Sequence, residues 1–144
     1  KDLVQETIAN LTTLVNHDHF HFVYSEQIAS LERWALAGPV FSAIRSNPGF
    51  VLGDLGGDNL FVLPDGHRVI DWQRTKLGPT DLDLTTLLES LGFDPLSHVD
   101  ENIVWMMYLI RINWLSQCAL RWFPEGMETY DRSIARLSSL INAH

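Results

Sequence analysis

Gly53-Asp54-Leu55-Gly56-Gly57-Asp58-Asn59, continued by Leu60-Phe61-Val62-Leu63, Pro64-Asp65-Gly66 and Val69-Ile70-Asp71-Trp72, is the stretch whose reading decides the fold. Leu60 to Leu63 is a short apolar run, Pro64-Asp65-Gly66-His67 has turn chemistry, and Arg68-Val69-Ile70 is a returning β-rich run. Together they predict a β-hairpin. Four residues out from Asn59, and the four from His67 back to Asp71, each cover about 13 Å at ~3.3 Å per residue, with neighbouring strands ~5 Å apart. Asp71 is therefore expected beside Asn59 at the open end of the hairpin, with Asp54 on the loop that feeds its first strand.

An amide oxygen next to a carboxylate is a plausible pair of hard ligands for Mg²⁺, which takes one or two protein ligands and completes its shell with waters and phosphate oxygens. A carboxylate at Asp54 can then accept the proton of an attacking hydroxyl while the metal pair holds a triphosphate. The bland reading is that Gly-Asp and Asp-Gly pairs simply mark turns. It suffices for Asp65 and is favoured for Asp58. It does not explain an aspartate placed after Val69-Ile70 and before Trp72, a residue expected to pack under the metal loop.

The pattern Gly-Asp-Leu-x-x-x-Asn, a hairpin, Ile-Asp-Trp, and then Gly78-Pro79 with Asp83-Leu84 resembles the aminoglycoside phosphotransferase and choline kinase-like family, small-molecule relatives of the protein kinases. The spaced elements occur in the right order over Val51 to Leu88, whereas the helical remainder is similar only in general pattern. The resemblance implies Asp54 as catalytic base, Asn59 and Asp71 as Mg²⁺ ligands that also bind the nucleotide, and Asp83 as a buried carboxylate ordering the catalytic loop. It also implies ATP and Mg²⁺ as cofactors and a small-molecule hydroxyl as acceptor: an aminoglycoside, choline, another amino alcohol or a sugar.

This sequence departs from the family pattern in two ways. Leu52 stands where the family usually has His before Gly-Asp, and Gly56-Gly57-Asp58-Asn59 replaces a loop that often reads His-Pro-Gly-Asn. The larger departure is that nothing supplies the nucleotide-binding half. Lys1 and Lys76 are the only lysines, and no glycine-rich loop precedes a strand carrying a lysine and a helix carrying its glutamate. The expected fold is α+β, mostly α: a protein kinase-like carboxy-terminal lobe with a small catalytic β-hairpin, residues 1–144 forming one domain. An amino-terminal lobe, in the same or a separate chain, would be its partner, and a start at Lys1 agrees with a piece of a longer protein. By itself the chain is expected to phosphorylate poorly. A rival from another class is a non-catalytic remnant that binds a protein or small molecule.

Composition narrows the partners. A formal net charge of -8 argues against nucleic acid, which calls for a basic stripe. The single cysteine, Cys118, cannot form an internal disulfide; with no apolar block after the amino-terminal charge to suggest a signal peptide, a cytoplasmic location is expected. Ile103 to Phe123 is the stretch that tempts a membrane reading. Arg111, Asn113, Gln117 and Arg121 interrupt it, so a buried core helix is preferred and no membrane partner is expected.

Apolar spacing predicts helices over Asp2 to Val15, Glu26 to Leu36 capped by Ser25, Leu82 to Leu91, Asp100 to Phe123 and Met127 to Asn142. Gly38-Pro39 restarts a helical turn before Phe41 to Arg45, and Phe50-Val51-Leu52 reads as a short strand. His17, His19 and His21 would share a face on a strand, but exposed histidines in an interhelix loop are the ordinary case. Asp81-Leu82-Asp83-Leu84-Thr85 matches a haloacid dehalogenase-like phosphatase signature. That chemistry needs a buried hydrophobic strand just before it, and Thr75 to Thr80 is polar.

Overall fold

The computed structural model describes residues 2–72 and 75–143. Six α-helices and four short strands are assigned among them: α1 Asp2–Asn16, α2 Ser25–Ala35, α3 Gly38–Arg45, β1 Pro48–Val51, β2 Leu60–Leu63, β3 Gly66–Val69, β4 Lys76–Pro79, α4 Asp81–Ser90, α5 Glu101–Gln117 and α6 Met127–Asn142. The fold is mostly helical with two small antiparallel sheets, an α+β architecture of the expected kind. The chain divides into two compact units, residues 1–37 with 108–144, and residues 38–107.

In the first unit α2 packs against both α1 and α6. The spacing of α1 explains its orientation: Val4, Thr7, Leu11 and Leu14 fall three or four apart, and all are buried. Two polar members of that face are satisfied across the unit, Thr7 Oγ1 donating to Asn113 Oδ1 at 3.0 Å and Asn10 Nδ2 to Ser116 Oγ at 3.2 Å. The cap of α2 is Tyr24 rather than Ser25. Gln27, three residues on, folds back so that its Oε1 accepts the Tyr24 N–H at 2.9 Å, satisfying the donor of the cap residue itself.

Helix α5 reads as the sequence suggested. Ile103, Val104, Trp105, Met106 and Met107 are consecutive and all buried, as in a helix that is apolar all round. Taken with the helical turn that continues it to Trp122, it is long and apolar enough to cross a membrane on composition, yet 61% of the most apolar window of that span is buried within the chain, the behaviour of a core helix. Beyond Gln117 the α-helical ladder gives way to a π-helical turn, Cys118–Trp122.

The second unit holds the strands. The predicted hairpin forms from β2 and β3, paired from Leu60↔Val69 to Leu63↔Gly66. The connection is thus the two residues Pro64-Asp65, where Asp71 opposite Asn59 required three. Gly66 carries a φ of 139°, a value that glycine alone adopts freely. The other sheet was not foreseen. Lys76-Leu77-Gly78-Pro79 forms β4 and pairs with β1 from Pro48↔Pro79 to Val51↔Lys76. Both strands are sheet edges, where proline is tolerated. At Gly49 the approach is so close that a Cβ would sit 2.6 Å from Thr80 Cγ2.

Candidate active site

The β1–β4 sheet sets up the site, which lies wholly within residues 38–107. Strand β1 delivers Leu52 and Gly53, and β4 delivers α4. Helix α4 follows β4 directly, and a Cβ on Gly78 would lie 3.6 Å from Val51 Cγ2 and 3.9 Å from Leu82 Cδ1. The helix brings Asp83 to the loop. Its Oδ2 accepts the Leu52 N–H and its Oδ1 the Gly53 N–H, both at 2.8 Å. Both carboxylate oxygens are therefore engaged by adjacent backbone amides, immediately before Asp54. Asp83 itself is half-buried rather than fully buried. Leu52, at the position where a histidine was expected, is buried and keeps the packing there apolar. Gly53 has a φ of 89°, so the chain turns through a conformation that an L side chain resists.

Asn59 organises the other half of the loop. Its Oδ1 accepts the Gly56 N–H at 2.8 Å, and its Nδ2 makes a long contact, 3.4 Å, to the Asp54 carbonyl. The Ile70 N–H then donates to the Asn59 carbonyl at 3.0 Å, extending the hairpin ladder by one bond. The partner of Asn59 is thus Ile70, and Asp71 lies one residue further on than the spacing predicted. The tighter two-residue turn accounts for the slip, since it advances β3 by one position. Asp71 leaves the ladder with a φ of 65°, in the left-handed region.

The Asp54 and Asp71 carboxylates are exposed, and neither has a hydrogen-bond or ion-pair partner among the described residues. Carboxylates and an amide oxygen are, as ligand types, those that a hard, partly hydrated cation takes. Asp58 is an exposed turn residue, and Asp65 pairs loosely with Arg68 at 3.4 Å across the hairpin turn. Trp72 does not pack under the loop. It is 54% exposed and its Nε1 donates to the Val69 carbonyl at 2.8 Å.

Two features with no sequence signal emerged. Ser90 Oγ accepts the Gly57 N–H at 3.0 Å, from the far end of α4. Asp131, in the other unit, is 1% exposed and accepts the backbone N–H groups of His21, Phe22 and Val23 at 2.6 to 3.2 Å. The three histidines lie around that loop, not on a strand, and no cluster of three or more His, Cys, Asp or Glu suited to a metal occurs among the described residues. The Asp81-to-Thr85 signature lies inside α4, after an exposed edge strand, and its second aspartate is the one bound to Leu52 and Gly53. That geometry does not present a phosphatase nucleophile.

A small α+β unit with a glycine-turned acidic loop, a short hairpin and a helix gripping the loop is the setting in which the family comparison falls. The model of the phosphotransferase enzyme family (APH) matches residues 5–104, so the chain belongs to that family and is, in general terms, a phosphotransferase of the kinase-like class. The match bears out the resemblance to the aminoglycoside phosphotransferase and choline kinase-like proteins seen in the sequence. No curated protein and no solved structure matches the chain significantly.

Proposed function

We propose that this chain is the catalytic-loop lobe of an ATP-dependent phosphotransferase that phosphorylates a hydroxyl of a small molecule. The observation that carries the reading is the grip of Asp83 on Leu52 and Gly53, which fixes the backbone beside an exposed and unpaired Asp54. A carboxylate in that setting is free to hydrogen-bond an acceptor hydroxyl, orient it and take its proton. Asn59 Oδ1 and the Asp71 carboxylate would hold Mg²⁺. When bound, the metal neutralises charge on the phosphate oxygens, which with in-line positioning is most of what phosphoryl transfer requires.

The same reading assigns the nucleotide mainly to an amino-terminal lobe, in this or another chain. Large exposed apolar side chains support a covering partner: Phe50 and Leu77 are directly paired across β1 and β4 and are 75% and 77% exposed, and Val62 of the hairpin is 73% exposed. The acidic charge favours an amino-bearing acceptor over nucleic acid. A lone, buried cysteine suits the cytoplasm.

Asp54→Ala in the two-lobed protein tests the assignment. Turnover is expected to vanish while nucleotide affinity, read by calorimetry, stays within about threefold, because a base acts on the acceptor and not on the nucleotide. Undiminished turnover would sink it.

A further inference from the structure

Helix α4 touches the loop a second time, at its other end. Ser90 Oγ donates to the Leu87 carbonyl at 2.8 Å, which fixes the direction of its one hydrogen. A lone pair is left to accept the Gly57 N–H at 3.0 Å. The loop lies close against the helix at this point: a Cβ on Gly56 would be 3.8 Å from Ser90 Cβ, and one on Gly57 would be 3.4 Å from Leu91 Cδ2. From Gly57 the connection runs on through its neighbour Gly56, whose N–H holds Asn59 Oδ1 at 2.8 Å, and through Asn59 Nδ2 to the Asp54 carbonyl.

We propose that Ser90 is a positioning residue for phosphoryl transfer: by holding the Gly57 amide it fixes the Gly56–Asn59 turn, and with it the orientation of Asn59 and the backbone of Asp54. The inference rests on the phosphotransferase reading given above. Without this anchor, Gly56-Gly57 is a pair of residues with the widest backbone freedom available, in the middle of a loop that must hold a metal ligand and a base in register. Asp83 restrains one side of Asp54 and Ser90 the other. Ser90 touches none of the reacting groups, so its effect should fall on the rate and not on the binding of either substrate.

The test pairs Ser90→Ala with Ser90→Thr and reads two quantities. Exchange of the Gly57 amide with solvent is followed by NMR in this chain, and kcat and KM are measured in the two-lobed protein. Ser90→Ala is expected to speed Gly57 exchange severalfold and to lower kcat about fivefold, the scale of one hydrogen bond, with KM for both substrates within about twofold. Ser90→Thr, which keeps the hydroxyl, should restore both. Unchanged Gly57 exchange in Ser90→Ala would overturn the anchor. Faster exchange with unchanged kcat would overturn the positioning role. A wild-type protein lacking any Asp54-dependent turnover would instead overturn the phosphotransferase reading, and the exchange result would then decide the anchor alone.

Discussion

Asp71 is the residue at which local conformation and chemistry conflict. A β-carbon at a φ of 65° is crowded by its own backbone, and the left-handed region costs a non-glycine residue ~1 kcal/mol or more. Aspartate tolerates it better than most, but glycine better still. Asp71→Gly is therefore expected to raise the stability of this chain by up to about 1 kcal/mol in urea unfolding while weakening Mg²⁺-dependent nucleotide binding in the two-lobed protein. A destabilised Asp71→Gly protein would show that the freedom glycine adds to the unfolded chain outweighs the relieved strain. The same residue shows what sequence can and cannot convey. Its place after an apolar β run was enough to single it out. Its left-handed backbone left no trace in the sequence, and its position one step beyond the partner of Asn59 depended on a two-residue turn that Pro64-Asp65-Gly66-His67 did not distinguish from a three-residue one.

Among the elements, the helices were the most legible, because a buried face repeats every three or four residues; α6 begins and ends at the predicted residues, Met127 and Asn142. Strand β4 was illegible. Gly78-Pro79 reads as a loop, and only the pairing with β1, nearly thirty residues away in sequence, makes it a strand. Hydrogen bonds from a side chain to a distant backbone leave no periodic trace either, which is why Ser90 and Asp131 went unnoticed while Asp83 was found through its family spacing. Asp131 joins α6 to the segment that enters α2. Removing its carboxylate would strand several backbone amides next to a buried space, and Asp131→Ala is expected to cost about 3 kcal/mol of unfolding free energy. Asp131→Asn should cost less, since one oxygen remains to accept. A loss below about 1 kcal/mol for the alanine variant would mean that water replaces the carboxylate freely.

At the scale of the whole molecule, stability should decline on the alkaline side. Burial pushes the Cys118 thiol above its ordinary value of 9.0. Tyr130 is also raised above its ordinary 10.0, by desolvation first and then by the charges of Cys118 and Glu125. A group whose folded pKa exceeds its unfolded one binds its proton more tightly when folded. The contribution is therefore undiminished below the unfolded value and is lost as pH climbs from there through the folded one. The melting temperature is expected to hold between pH 7 and 8.5 and then to fall, with a shallower fall in Cys118→Ala. Identical alkaline slopes for the two proteins would remove the thiol from the account.

Surface loops usually absorb insertions and deletions, since their closure entropy changes slowly with length. This one has a ruler beside it. Asp83 and Ser90 are seven residues apart on one helix, which fixes their separation along its axis at about 10.5 Å. Their loop partners, Gly53 and Gly57, are four residues apart and can span at most about 13 Å. One residue fewer would leave the loop unable to reach both contacts without strain, and one more would let it bow away from the helix. The span from Gly53 to Gly57 is therefore held to its length by helical pitch, whereas the length of the hairpin tip at Pro64-Asp65 is held only by the β2–β3 register that places Asp71.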